Sequence, residues 1–398
     1  MKYCSTCCMP DTKPGVVLDE QGRCNGCRSS EIKKHVDWDK RWQSLVKIAD
    51  EIKQNRSEGS YDCLVPVSGG KDGWYQTYVM SEILGLKTLC VVMASHLPTK
   101  EGIHNLNSLI KDQNVDLLKI TVKPSTIKAL RKKWFLKKAE PNWAEHCVIF
   151  SGVVNAALLY DIKLIVWGED ISFEFGGVQR KESKPSALEI DKSDLLNDHT
   201  VLDSLDENIL FRDIFFYKYP DYEKLESAGI KSIYLGHYHR WDGRAHYNFV
   251  KKRGFKAREE GPLSGNFISY DNIDEKLCEI NIWLKYIKFG FWRPTDQTCY
   301  DIWNGRMTKS EAAKIVDSLQ DEFPHEYFQD FLRFHDISET EFWMVVEKFR
   351  NKDIWHKIDG KWKLKENILE SCKEKKTFSS RLDTSSKNED RNSVLSKL

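Results

Sequence analysis

The sequence predicts an α/β protein: a parallel sheet with helices on both faces, a small N-terminal cysteine module and a C-terminal helical region. Three observations lead there. Short apolar runs alternate with helix-patterned stretches from Tyr61 to Leu235, as in parallel strands joined by crossover helices. Polar or glycine-rich groups follow the runs at Ser68-Gly69-Gly70, Ala94-Ser95-His96, Gly168-Glu169-Asp170 and Gly236-His237, and ligands of such sheets sit outside the carboxyl ends of the strands. Two C-x-x-C pairs open the chain, a pattern suited to a metal module. The expected divisions are a cysteine module over 1–30, a helical linker over 31–60, and the sheet domain over 61–262. A helical region over 263–350 and a polar, partly disordered tail over 351–398 follow.

A chain of 398 residues is long enough for more than one core. Its 61 basic and 60 acidic residues leave a formal charge of +1, which argues against a mainly electrostatic nucleic-acid binder. No apolar run reaches the roughly eighteen residues of a membrane span, so no membrane partner is expected. The N-terminus carries a cysteine pair instead of an apolar signal segment. Eleven cysteines without an export signal point to metal binding or buried thiols before disulfides. A cytoplasmic location is expected.

In chain order, Cys4, Cys7, Cys24 and Cys27 form C-x2-C-x16-C-x2-C, which fits a structural four-thiolate zinc site of the ribbon or knuckle type. A redox pair or an iron–sulfur cluster fits less well, because no βαβ setting surrounds it. Cys8 is a spare thiol. From Ser29 to Ser57, apolar residues such as Ile32, Trp42, Leu45 and Ile52 recur at helical spacing, predicting one or two helices that lead into the core. Arg56 to Ser60 is a hinge candidate.

The run Cys63 to Val67 reads as a buried strand, with further strands at 87–94, 116–122, 163–167 and, more weakly, 231–235. Helical periodicity covers 75–84, 102–113, 126–135 and 148–160. The first strand ends in Ser68-Gly69-Gly70-Lys71-Asp72-Gly73. Paired glycines allow a sharp turn whose N–H groups approach an anion, and the next helix points its positive end there. Ser68 adds a hydroxyl and Lys71 a mobile ammonium. The G-x-x-x-x-G-K-[ST] spacing is absent. The SGGKDG segment instead resembles the pyrophosphate loop (PP-loop) of the N-type ATP pyrophosphatases, which form AMP and pyrophosphate. Candidate catalytic residues are Ser68, Lys71 and Asp72. Candidate nucleotide-binding residues are Ser68, Gly69, Gly70, Lys71, Asp72, Gly73, Gly168, Glu169 and Asp170. Asp72 and the Glu169-Asp170 pair could hold Mg²⁺, although Asp170 could equally cap the next helix. His237, His239 and His246, interleaved with charged residues, read as a solvated loop more readily than as a metal set.

Beyond Ser264, Ile273 to Ile287 reads as a buried helix. Lys285, Lys288, Arg293 and Arg306 supply positive charge suited to a sugar carboxylate or nucleotide phosphate, with surface solvation the plainer role for at least half. Thr308 to Glu311 is a capping box. After Lys365 the tail turns polar, with disorder expected past Phe378.

Taken together, CSTCCMPDTKPGVVLDEQGRCNGC, PVSGGKDGWYQ, WGEDISFEFGG, YLGHYHRWD and WLKYIKFGFWR with TKSEAAKIV resemble the N-acetyl sugar amidotransferase family. The resemblance spans roughly Met1 to Arg350. It implies an adenine nucleotide alpha hydrolase-like fold of the PP-loop type. It also implies synthesis of acetamidino sugars for bacterial surface glycans, of the pseudaminic or legionaminic acid or O-antigen type. ATP, Mg²⁺ and structural Zn²⁺ are the implied cofactors, and an N-acetylated sugar, free or nucleotide-linked, the substrate. Gly73 stands where related loops carry Ser, Asp170 where Asn is expected, and His237 where an aromatic is expected. Alternatives are a PP-loop tRNA-modifying enzyme, weakened by the charge balance and isolated core cysteines, and a nucleotide-binding regulatory module. Lys2 occupies the second position, and neither Cys147 nor Cys299 has a nucleophile's setting, so ammonia is expected from a separate glutaminase subunit.

Overall fold

The protein was analysed as a computed structural model that describes residues 1–177, 182–192, 196 and 199–373. The short apolar runs are strands: β1 (Cys63–Pro66), β2 (Thr88–Met93), β3 (Asp116–Ile120), β4 (Leu164–Trp167) and β5 (Lys231–Tyr234). They form one parallel sheet in the order β3-β2-β1-β4-β5. The chain steps outward from β1 to β3 and then returns to the other side of β1. The strand order therefore reverses between β1 and β4, the place where open α/β sheets form a ligand crevice.

Helices α1 (Asn25–Lys33) and α2 (Trp38–Asn55) precede the sheet. Connections are made by α3 (Lys71–Tyr78), α4 (Lys100–Gln113), α5 (Pro124–Lys138), α6 (Trp143–Leu159), α7 (Ile171–Phe175) and α8 (Tyr222–Ser227). After β5 come α9 (Leu235–Tyr238) and α10 (Gly243–Lys251). Alternate strand residues face opposite layers. Leu64, Leu89 and Ile165 pack with α5 and α6, whereas Cys63, Val65, Cys90 and Val166 pack with α2, α3, α4 and α10. Each such aliphatic side chain stabilises the fold by about 1.5–3 kcal/mol when fully buried. Helix α3 does not continue as regular helix to Leu84: Val79–Ile83 is a π turn.

The C-terminal helices are α11 (Cys278–Phe289), α12 (Arg293–Trp303), α13 (Lys309–Leu319), α14 (Phe328–His335) and α15 (Glu339–Phe349). Trp283, Phe331 and Phe342 centre a third core, which Phe135 of α5 joins to the sheet domain. The cysteine module packs on α12 and α13 through Phe291, Cys299, Ala312 and Val316. Lys309 Nζ donates to the Cys4 carbonyl at 2.7 Å. Residues 355–373, expected within a polar tail, instead form an antiparallel hairpin of β6 (Trp355–Ile358) and β7 (Lys361–Leu364) and the helix α16 (Ile368–Lys373). Trp355 and Ile368 are buried there, and these apolar anchors order an otherwise charged stretch. The segment past Phe378 lies outside the described residues. Among the described residues no helix is long and apolar enough to cross a membrane.

Candidate active site

The loop after β1 is shaped by its glycines. Gly69 has φ +99°, and a Cβ there would lie 2.7 Å from the Gly102 carbonyl oxygen, so only glycine fits without strain. Gly70 is the N-cap of α3 and makes no side-chain cap bond. The first-turn N–H groups of α3 are thus directed at the space before the helix. The Gly70 N–H donates to Ser68 Oγ at 3.2 Å. At Gly73 a Cβ would stand 3.3 Å from Val67 Cα, so the small residue lets α3 lie close on the strand end.

Lys71 lies inside a buried charge network. Its Nζ donates to Asp72 Oδ2 at 2.8 Å and to Asp271 Oδ1 at 2.7 Å. Burial opposes the ammonium, but Asp271 and Asp72 outweigh it and hold Lys71 above its usual range. Burial likewise pushes Asp72 up, and Lys71 and His246 more than offset that, leaving it below the carboxylate range. His246 Nδ1 stands 2.7 Å from Asp72 Oδ1, with its ring stacked on Tyr75 at 4.1 Å. Arg293 completes the network by charge, 3.6 Å from Asp271 and 3.4 Å from Glu279.

The network opens into a cavity of about 670 Å³ whose lining includes Lys71, Asp72, Glu169, Trp241, Tyr270, Asp271 and Arg293, a size typical of small-molecule sites. Glu169, the second residue after β4, is raised to about 7 by burial, with the Asp72 carboxylate adding to the shift. Of the sequence-predicted site residues, Lys71, Asp72 and Glu169 thus share one cavity. Ser68, Gly69, Gly70 and Gly73 form the adjoining turn and helix start, outside that lining. Gly168 lies under Trp241, whose ring a Cβ would meet at 2.9 Å. Asp170 is buried and its Oδ2 accepts from the Lys184 N–H at 2.9 Å. Its side chain does not cap α7. Among the described residues, the lining also includes Lys285, Lys288, Arg293 and Arg306.

Sequence reasoning did not single out Asp271, Tyr270 or Glu279, and it placed His246 in a solvated loop. The structure corrects the last point: His246 is 1% exposed. Its helix α10 packs on α3, and the run Trp241-Asp242-Gly243 just before α10, with Asp242 as its N-cap, was the available local signal. His237 and His239 are held by Ser183 and Tyr75 respectively and do not gather with His246 around a metal position.

Cys4, Cys7, Cys24 and Cys27 do gather: their sulfurs lie within 4.8 Å of one another, the only such group among the described residues. Cys4 to Cys27 is 3.7 Å and Cys7 to Cys24 is 3.5 Å. Tetrahedral Zn–S bonds of about 2.3 Å put sulfurs about 3.8 Å apart, so this set fits a zinc ion. Hydrogen bonds from Cys24 and Cys27 pull Cys4 down, whereas burial pushes Cys7 up. Trp303 Nε1 donates to Cys27 Sγ at 3.3 Å, tying the tetrad to α12.

The glycine turn likewise suits a nucleotide phosphate, with Lys71 beside it; Asp72 and Glu169, which line the same cavity, are the residues that would hold a Mg²⁺ there.

Part of this architecture has named relatives. Residues 264–369 match the family of the LPS biosynthesis protein WbpG-like, C-terminal domain. That segment supplies Tyr270, Asp271, Lys285 and Arg293 to the cavity. An uncharacterized protein of Methanocaldococcus jannaschii, MJ1599, is 27% identical over 115 residues, 28% of this chain. The aligned part spans 40% of that relative's length. Among solved structures, an NMN synthetase from Francisella tularensis aligns over 77% of this chain and 96% of its own, with 13% identity and a TM-score of 0.33. An NH3-dependent NAD synthetase from Campylobacter jejuni aligns over 47% and 99%, with 15% identity and a TM-score of 0.27. Both superpose loosely, and the architecture stands on its own strand order.

Proposed function

We propose that this chain is an ATP-dependent, AMP-forming amidotransferase that converts an acetamido group of an N-acetylated sugar, free or nucleotide-linked, to an acetamidino group. Its main support is the position of Lys71: the glycine turn and this lysine stand at the β1/β4 switch point, on a cavity partly walled by the segment that matches the LPS biosynthesis domain. An acetamido carbonyl is a poor electrophile. Its oxygen attacks the α-phosphorus of ATP and expels pyrophosphate, giving an O-adenylyl imidate. Ammonia adds to the imidate carbon, a proton leaves the nitrogen, and AMP departs with the original oxygen. The turn's N–H groups and Lys71 stabilise the charge that develops on pyrophosphate, and a Mg²⁺ held by Asp72 and Glu169 would add to that stabilisation. Glu169, with a carboxyl poised near 7, can accept a proton or share the Mg²⁺.

The experiment is to supply ATP, Mg²⁺, ammonium and a diacetamido sugar, with tRNA in a parallel arm. Pyrophosphate and AMP should appear with the sugar alone, together with a product in which one oxygen has become NH. ADP and phosphate would contradict the loop assignment. Turnover with tRNA only would replace the sugar by a base.

A further inference from the structure

Most cations that line the cavity are paired. Lys71, Lys288, Arg244, Arg293 and Arg306 each face a carboxylate. Among the described residues Lys13, Lys138 and Lys285 have no carboxylate within ion-pair distance, and of these Lys13 and Lys285 influence each other directly. Lys13 lies between the two cysteine pairs, and among the described residues its Nζ donates to the Phe175 carbonyl alone, at the end of α7. Burial pulls its ammonium down; Asp296 opposes this from beyond ion-pair distance, and Lys285 adds to it. Lys285 lies one turn from Lys288 on α11, on the stripe that includes Asn281 and faces the cavity. Two neighbouring cations that face no carboxylate at ion-pair distance in a partly desolvated cavity are costly. An incoming negative charge would remove that cost.

We propose that Lys13 and Lys285 form an anion subsite that holds a carboxylate or diphosphate group of the acceptor. It presupposes that the cavity takes the acceptor of the proposed amidotransferase. The Lys13 loop is positioned from both sides. Thr12 Oγ1 donates to the Phe289 carbonyl at 2.5 Å, and Asn25 Nδ2 donates to the Gly15 carbonyl at 2.8 Å. The cysteine module is thereby a wall of the substrate chamber as well as a folding unit.

Calorimetry on the full chain, with the glycine turn filled by a nonhydrolysable ATP analogue and Mg²⁺, tests this with three probes. UDP-N-acetylglucosamine carries a diphosphate, N-acetylneuraminic acid a carboxylate, and N-acetylglucosamine no charge. One anionic probe should bind more tightly than the neutral one, and which one does identifies the group. Lys13→Gln and Lys285→Gln should each weaken that probe about 10-fold, the usual worth of a hydrogen bond to a charged group. The neutral probe and the ATP analogue should be unaffected. Lys285→Gln decides the matter if Lys13→Gln disturbs folding. Anionic probes that bind no tighter than the neutral one, or unchanged affinity in Lys285→Gln, would overturn the subsite. Loss of anion binding in chains that split ATP to ADP would keep the subsite and overturn the amidotransferase.

Discussion

The catalytic role proposed for Lys71 and its place in the buried charge network can be separated by mutation. Lys71→Ala should cut turnover by ~10²–10³, the worth of one transition-state charge contact. It should also lower the melting temperature, because Asp72 and Asp271 would face each other without their shared cation. In the double variant Lys71→Ala with Asp271→Asn, stability should return while turnover stays low. Full recovery of both would remove Lys71 from the chemistry. Glu169 carries a different signature. Its carboxyl is raised to about 7, above its usual value near 4.3. Between those pH values the folded chain keeps a proton that the unfolded chain has lost, so this group's contribution to stability falls as pH rises through the window. Glu169→Gln removes that loss. Its melting temperature relative to the unmodified chain should climb from about pH 4.3 to about 7 and then level off. A constant difference across that range would show that Glu169 is ionised throughout. The same variant should bind ATP·Mg²⁺ less well if the carboxylate shares the metal.

Among the elements, the cysteine module has the most to lose. A single Zn²⁺ per chain is expected on Cys4, Cys7, Cys24 and Cys27, since folding and metal binding are coupled in units this small. Chelation should raise hydrogen exchange through residues 1–33 and in α7, which Lys33 of α1 and Lys13 hold through Glu174 and the Phe175 carbonyl. The strands β1 to β5 should stay protected. An iron chromophore, or full folding without metal, would count against zinc. How far such elements were legible depended on locality. The five strands were legible because each is a short apolar run between helix-patterned or polar stretches, and the cysteine tetrad because its spacing is local. The π turn after α3 left no mark in the apolar period. Lys71, Asp72 and Glu169 were legible because strand ends deliver them. Asp271 was not, since it meets Lys71 from 200 residues away and its neighbours Ser269-Tyr270-Asp271-Asn272 read as an ordinary polar loop. Arg293 showed as charge, without its buried partners.

At the scale of the whole molecule, the cavity exists only because the sheet, the cysteine module and the C-terminal helices meet around it. For the proposed reaction, a site walled in this way would exclude water from an adenylylated intermediate, yet it would have to admit ammonia. Taking ammonia from glutamine requires an activated nucleophile, and the cysteines argue against one here. Cys147, beside His146, is buried in α6, and burial pushes its thiol up. His146 is itself pulled down to about 4 by burial, so it stays neutral and supplies no charge to stabilise a thiolate. Cys63 and Cys90 are each pushed up to about 12 by burial, and Cys278 is raised for the same reason. A thiol raised this far is inert at neutral pH. The purified chain, given ATP, Mg²⁺ and a diacetamido sugar, should therefore make product with ammonium and not with glutamine. Adding a separate glutaminase subunit should restore the use of glutamine, and a catalytic-cysteine variant of that subunit should abolish it while leaving ammonium-driven turnover intact. Equal activity with glutamine and no added subunit would place a glutaminase site within this chain.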